Sequence, residues 1–344
     1  MSARRPVLLD CDPGIDDALA IAYLAAEHRA GRIALQGVVA TAGNVGIDDT
    51  VRNALAWLDL AGAGAEVSVA AGAAGATVVP HAFTPETHGP RGAGYAALPE
   101  REEGTTARAL DARSGARLWV DLARAHPGEL VAVVTGPSST LAAALDLEPA
   151  LPRLLRRLVV MGGTYRGHPG NTTPVSEWNV DVDPEAADAV CLAWEAAREA
   201  DPAVAPAWWC GLNLTERAVW TPERSERLLA QAASADGRLV SLARHLVDAL
   251  RFYFEFHDSV GEGYLAQVHD PLVAWLALHS EAAVTEPVHL RVECAGEHTR
   301  GMTVEDRRGH RGRAANAHLV VDLSVPGGPD AVLDEVMAAL ADPG

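Results

Sequence analysis

Short apolar runs alternate with amphipathic stretches along most of the chain. Pro6–Cys11, Ile33–Ala40, Val67–Ala71, Leu130–Thr135, Arg157–Met161 and Trp208–Leu212 are mostly apolar on both faces of the pleat. Strands read that way when helices cover both sides of their sheet. Between the runs lie helical patterns. In Ile47–Leu60 a stripe of Ile47, Val51, Leu55 and Leu58 opposes Asp48, Asp49, Arg52 and Asp59, and Gly62 follows as a stop. Thr221-Pro222-Glu223 combines an N-cap, a first-turn proline and an acid that suits the helix dipole. The order strand, helix, strand predicts an α/β fold in which an open, mostly parallel, doubly wound Rossmann-like sheet forms a single domain over residues 1–344. Two stretches escape the pattern, Ala73–Thr105 and Gly162–Asn179, both rich in Gly, Pro and Thr. Loops of that kind follow strand carboxyl ends in such sheets and build the ligand crevice.

Composition narrows the partners. The chain has 344 residues, 49% hydrophobic and 22% charged, a globular balance. Its net charge is −18 and it contains no lysine. Nucleic-acid polymers and anionic membranes need cationic stripes, so neither is an expected partner. No apolar run approaches a bilayer span, and Val7–Leu9 is too short for a secretion signal. Cys11, Cys191, Cys210 and Cys294 are scattered without a CxxC pair, which fits a reducing, cytoplasmic setting rather than a disulfide scaffold.

The densest chemistry sits where the first strand ends. Asp10-Cys11-Asp12-Pro13-Gly14-Ile15-Asp16-Asp17 places four carboxylates in eight residues. Asp10 and Asp12 fall on one face by strand alternation, and Asp16 and Asp17 open the next helix. One acid there is an ordinary cap. Four repel one another unless a cation neutralises them, and oxygen donors without thiolate or paired histidine favour Ca²⁺ or Mg²⁺ over zinc.

This run resembles the signature of the inosine–uridine-type nucleoside hydrolases, Ca²⁺-dependent N-ribohydrolases. Further segments resemble that family in matching order: Thr41-Ala42-Gly43-Asn44, Val134-Thr135-Gly136-Pro137, Met161-Gly162-Gly163, Gly170-Asn171, Glu177-Trp178-Asn179 and His269-Asp270-Pro271. The resemblance implies hydrolysis of the N-glycosidic bond of ribonucleosides and a nucleoside hydrolase fold. It implies Ca²⁺ held by Asp12, Asp17, Asp270 and the Thr135 carbonyl, a water activated with Asp12 as base, and a place for Asp10 behind these ligands. Asp16, Asn44 and Asn179 would meet the 2′- and 3′-hydroxyls, Asn171 and Glu177 the 5′-hydroxyl, and Met161 belongs to the same ribose stretch. His269 would protonate the leaving base, since an imidazole with an ordinary pKa of about 6.5 can donate near neutral pH. A homodimer or homotetramer is implied as well.

The base end of the site is less defined. Phe252 and Phe256 share a helix face that continues Leu239, Leu242 and Leu246 and read as core. Tyr253, His257 and Trp178 suit either a base pocket or packing. His88-Gly89 resembles a family loop, with Pro90 where an acid is usual. Two other functions compete. A haloacid-dehalogenase-type phosphatase also opens with AspXaaAsp after a strand, but wants Thr or Val at Gly14 and gives His269-Asp270-Pro271 no role. A Ca²⁺-dependent ribose-binding module would need no base or acid.

Overall fold

Alternate residues of the first strand enter two different cores. Val7, Leu9 and Cys11 join one and Leu8 the other. A strand buried on both faces has to lie inside a helix-covered sheet. The computed structural model describes residues 4–80, 83–99, 109–233 and 235–342. Its strands are β1 (Arg5–Cys11), β2 (Ile33–Ala40), β3 (Ser68–Ala71), β4 (Leu130–Val134), β5 (Leu155–Met161) and β6 (Ala207–Cys210). These are followed by β7 (Val219–Trp220), β8 (Ala266–Gln267), β9 (Ala283–Val292), β10 (Thr303–Asp306) and β11 (Ala317–Leu323). One sheet runs in the order β10-β9-β11-β6-β5-β4-β1-β2-β3, and β7 pairs with β8 separately. Parts of the loop Ala73–Thr105, residues 81–82 and 100–105, lie outside the described residues.

Six strands match the expected runs, Ile33–Ala40 without change and the other five with an end shifted by one or two residues. Arg157–Met161 starts two residues earlier, at Leu155, and Trp208–Leu212 stops two residues earlier, at Cys210, because Leu212 starts the short helix Leu212–Thr215. Asp270 and Pro271 stand in the first turn of the helix His269–Leu278. The carboxyl-terminal strands were not anticipated. β9 runs antiparallel to both β10 and β11, so the sheet is mixed at that edge. Pro287 obscures β9 in the sequence. It lies opposite His318 where β10 no longer flanks the strand, so the missing N–H costs no ladder bond on that side.

Topology positions the site. From β1 the chain winds through β2 to β3, then returns to place β4 on the other side of β1. The strand order therefore reverses between β1 and β4, and in open α/β sheets the crevice at that reversal, beyond the strand carboxyl ends, takes the ligand. Helices Ile15–Arg29, Gly237–Ser259 and His269–Leu278 pack on the β1 face that carries Val7 and Leu9. Helices Gly115–Ala125 and Pro184–Ala200 cover the face that carries Leu8.

Helix Gly237–Ser259 refines one expectation. From Leu239, Leu242 and Leu246 the buried positions continue through Ala249, Leu250, Tyr253, Phe254 and His257. Steps of three and four residues from Leu246 reach Tyr253 and His257, while Phe252 and Phe256 are half-buried and pack against the same core from its margin. Phe252 lies edge-on to Tyr95 with ring centroids 5.1 Å apart. No helix of the described residues is long and apolar enough to cross a membrane.

Candidate active site

Beyond the ends of β1 and β4 opens a cavity of about 620 Å³. Asp12, Asp16, Asn44, His88, Thr135, Met161, Asn171, Glu177, Trp178, Asn179, Tyr253, His257, His269 and Asp270 all line it. Asp17, the remaining candidate, sits immediately behind: carboxylate oxygens of Asp16, Asp17 and Asp270 lie within 4.8 Å of one another. Residues separated by more than 250 positions thus meet, because the helix His269–Leu278 packs its amino end against the start of Ile15–Arg29. The backbone N–H of His269 donates to Asp16 Oδ2 at 3.2 Å.

Each acid has a distinct environment. Asp17 is in part the cap that an acid at this position suggests, since its Oδ2 accepts the Gly14 N–H at 2.9 Å. Its Oδ1 accepts the Thr135 hydroxyl at 2.9 Å. Asp12 accepts the Asn44 N–H on Oδ2 at 2.8 Å, while its Oδ1 is buried without a hydrogen-bond partner. The chain comes in close around Asp12. A Cβ at Gly43 would stand 2.1 Å from Asp12 Oδ2, and one at Gly136 would stand 2.8 Å from Oδ1. Any side chain at either position would displace the carboxylate. Asp10 points away from this group. Its oxygens accept from the Thr41 hydroxyl at 2.6 Å and the Trp119 indole N–H at 2.7 Å, so it braces β2 and helix Gly115–Ala125 and makes no bond to Asp12.

Burial makes these charges costly. It pushes Asp10 and Asp16 up to about 7, and Asp17 opposes Asp16 further. Asp17 rises to about 6, also through burial, against the pull of its hydrogen bonds. Burial and then neighbouring carboxylates, Asp17 for Asp12 and Asp16 for Asp270, hold both well above the usual range. Such a group ionises fully only beside a counter-charge. Its donors are all oxygen, which fits a hard divalent cation.

The opposite wall comes from the loop after β5. Glu177 accepts the N–H groups of Gly163, Asn179 and Val180, capping helix Trp178–Val182 and tying it to the strand end. Burial raises Glu177 to about 7. The Asn179 amide donates to the Thr135 carbonyl at 2.8 Å and reaches Met161 Sδ at 3.3 Å. Asn44 Nδ2 donates to the Asp12 carbonyl at 3.0 Å, and its Oδ1 is buried without a partner. The Asn171 side chain accepts the Trp178 N–H at 3.0 Å.

Three histidines share the far side. His88 accepts the Ile15 N–H on Nδ1 at 3.2 Å and tilts against Tyr253, ring centroids 5.3 Å apart. Tyr253 packs edge-on to His257 at 4.4 Å. His269 Nδ1 lies 2.9 Å from the Thr215 hydroxyl. Burial, reinforced by His257 and His88, pushes His269 down to about 3, so the ring is neutral at pH 7 and does not titrate near neutrality as its type alone suggests. The sequence offered no signal for Thr215 or Trp119, which act through partners distant in the chain. Glu86, Glu216 and Glu262, for which the sequence carried no signal, also line the cavity, and so does Phe256, which the helix pattern assigns to the core.

The profile described as inosine-uridine preferring nucleoside hydrolase matches residues 7–327. The chain belongs to this family. Its sequence is 33% identical over 333 residues to a pyrimidine-specific ribonucleoside hydrolase RihA of Citrobacter koseri, covering 96% of this chain and 97% of that one. It is 32% identical over 321 residues to an inosine-uridine preferring nucleoside hydrolase of Leishmania major, covering 93% of each. Its structure is similar to a purine-preferring ribonucleoside hydrolase from Gardnerella vaginalis, with a TM-score of 0.83, 27% identity and 98% of each chain covered. As a nucleoside hydrolase it is an enzyme that cleaves the N-glycosidic bond of ribonucleosides. The phosphatase and the ribose-binding module find no support among these relatives.

Proposed function

We propose that in this nucleoside hydrolase Asp12 takes the proton from the attacking water and His269 donates to the departing base. The observation that carries this reading is Asp12 Oδ1, buried and unpartnered beside a carboxylate group that needs a counter-charge. The residues fit Ca²⁺, held by Asp12, Asp17, Asp270 and the second lone pair of the Thr135 carbonyl. When bound, the cation would neutralise the acids, anchor ribose hydroxyls and acidify a water. Asn44 Oδ1 and Asp16 accept from the 2′- and 3′-hydroxyls with Asn179 beside them, Glu177 and Asn171 reach the 5′-hydroxyl, and Met161 packs against the sugar. His88, Tyr253, His257 and Trp178 surround the base. The Thr215 hydroxyl holds His269 through Nδ1. The ring, neutral at rest, takes a proton from solvent, and the resulting imidazolium gives its Nε2 proton to the leaving nitrogen while Nδ1–H donates to the Thr215 oxygen.

Turnover over a panel of purine and pyrimidine ribosides, before and after chelation and on re-addition of Ca²⁺, tests the reading. Loss on chelation and recovery with Ca²⁺ are expected, and full turnover by metal-free protein refutes it. The same reading places the enzyme in cytoplasmic nucleoside salvage as a homodimer or homotetramer. Its free cysteines support a reducing compartment, and sedimentation measures the assembly.

A further inference from the structure

A second cavity, of about 700 Å³, opens at the opposite end of the sheet. It lies at the amino ends of β1, β2 and β5, where Arg4, Arg5, Arg32 and Arg156 line it together with Glu27 and Glu129. In so acidic a chain most arginines meet carboxylates, and Arg32 does so through Glu27 and Asp342. Arg4, Arg5 and Arg156 do not: among the described residues none has a carboxylate within 4.0 Å. Arg5 gives one N–H to the Leu278 carbonyl at 2.8 Å, an ordinary helix-end contact that leaves its charge unpaired. Arg4 lies against Gly31, whose missing side chain leaves room for the guanidinium: a Cβ there would stand 3.2 Å from Nη2. Half-buried Arg157, held 4.5 Å over the Trp208 ring, has its pKa lowered by burial and then by Arg156 and Arg5. Like charges are therefore gathered here, with Glu27 held by Arg32 and no carboxylate within ion-pair distance of Arg4, Arg5 or Arg156 among the described residues.

We propose that this cavity binds a phosphate group, free or carried on a small molecule, through Arg4, Arg5 and Arg156. Guanidinium forks match phosphate oxygens in pairs, and three of them outweigh what one carboxylate would neutralise. The volume leaves room for an attached sugar. Strand β1 separates the cavity from the catalytic cleft, with Arg5 at one end and Cys11 at the other. The site does not depend on the catalytic reading.

Calorimetry on the full chain with inorganic phosphate, ribose 5-phosphate and ribose as separate probes tests it. Both phosphates bind and ribose does not; whichever phosphate binds more tightly identifies the source. Saturating nucleoside leaves the binding unchanged. An Arg4→Ala/Arg156→Ala double variant weakens it by roughly tenfold for each guanidinium removed. The corresponding lysine pair retains part of the affinity, and nucleoside turnover is unaltered in both variants. No binding at millimolar phosphate, binding unchanged in the alanine pair, or displacement by a nucleoside overturns the proposal.

Discussion

At the carboxyl ends of β1 and β4 the acids Asp12, Asp16, Asp17 and Asp270 are buried and raised in pKa, and the backbone at Gly43 and Gly136 closes on Asp12. At the amino ends of the same sheet Arg4, Arg32 and Arg156 stand in solvent. Both groups concentrate like charge, but water screens only one of them. The exposed guanidiniums can wait for a ligand at little cost to the fold. The buried carboxylates remain protonated or meet a cation, so their chemistry and the stability of the fold are linked. Substitutions should therefore have large effects at one end and small ones at the other.

The largest expected effect is that of Asp12→Asn. It removes the proposed base and one metal ligand, lowering kcat by roughly 10²–10⁴-fold for a positioned base. Because burial and Asp17 already disfavour the Asp12 charge, a neutral amide of the same shape should not lower Tm of the metal-free protein. A measured drop in Tm comparable to that of a core cavity would place Asp12 in the framework instead.

His269→Ala should lower kcat for natural nucleosides by about 10²-fold or more. It should have little effect on a nitrophenyl riboside, whose leaving group needs no proton. Equal losses on both substrates, with Ca²⁺ affinity unchanged, would move the donor role to Tyr253 or His257.

Stability should respond to pH in a direction fixed by the raised acids. The folded carboxylates of Asp16 and Asp17 titrate near 7 and 6 rather than at 3.8. The metal-free fold therefore binds more protons than the unfolded chain and loses stability as pH rises from about 4 to 7. Ca²⁺ must displace those protons, so it should raise Tm more at about pH 8 than at about pH 5. Thermal scans with and without Ca²⁺ at both pH values measure this, and an equal increment at both would contradict it.

The smallest effects contrast the two ends directly. Trp119→Phe leaves Asp10 Oδ2 without its donor and should cost about 1–3 kcal/mol in urea denaturation. Arg156→Ala at the other end should change stability by no more than about 0.5 kcal/mol. Similar values for the two would remove the distinction between buried and screened charge.

Six strands were legible because each is a short apolar run bounded by turn residues, and the acid run was legible because it is contiguous. β9 was not, because Pro287 and alternating polar residues hide a strand, and only the finished sheet shows that β10 flanks it at His289–Val292 and leaves Pro287 free on that side. The centre of the stripe on Gly237–Ser259 falls on Tyr253 and leaves Phe252 at its margin, a one-residue offset that rotates a helical position by about 100°. Spacing alone does not fix which neighbour lies beneath.

The sequence by itself determined the acidic strand end, the glycines that let the chain approach it and the late His269-Asp270-Pro271 segment, since these are local patterns of residue type. Only the tertiary structure decided that Asp10 turns to Trp119 and Thr41, that Thr215 meets His269, and that His269 is neutral. Hydrogen-bond partners are set by which strands become neighbours, and protonation by how much water the surrounding layers exclude. Neither quantity exists until the sheet has closed over both faces.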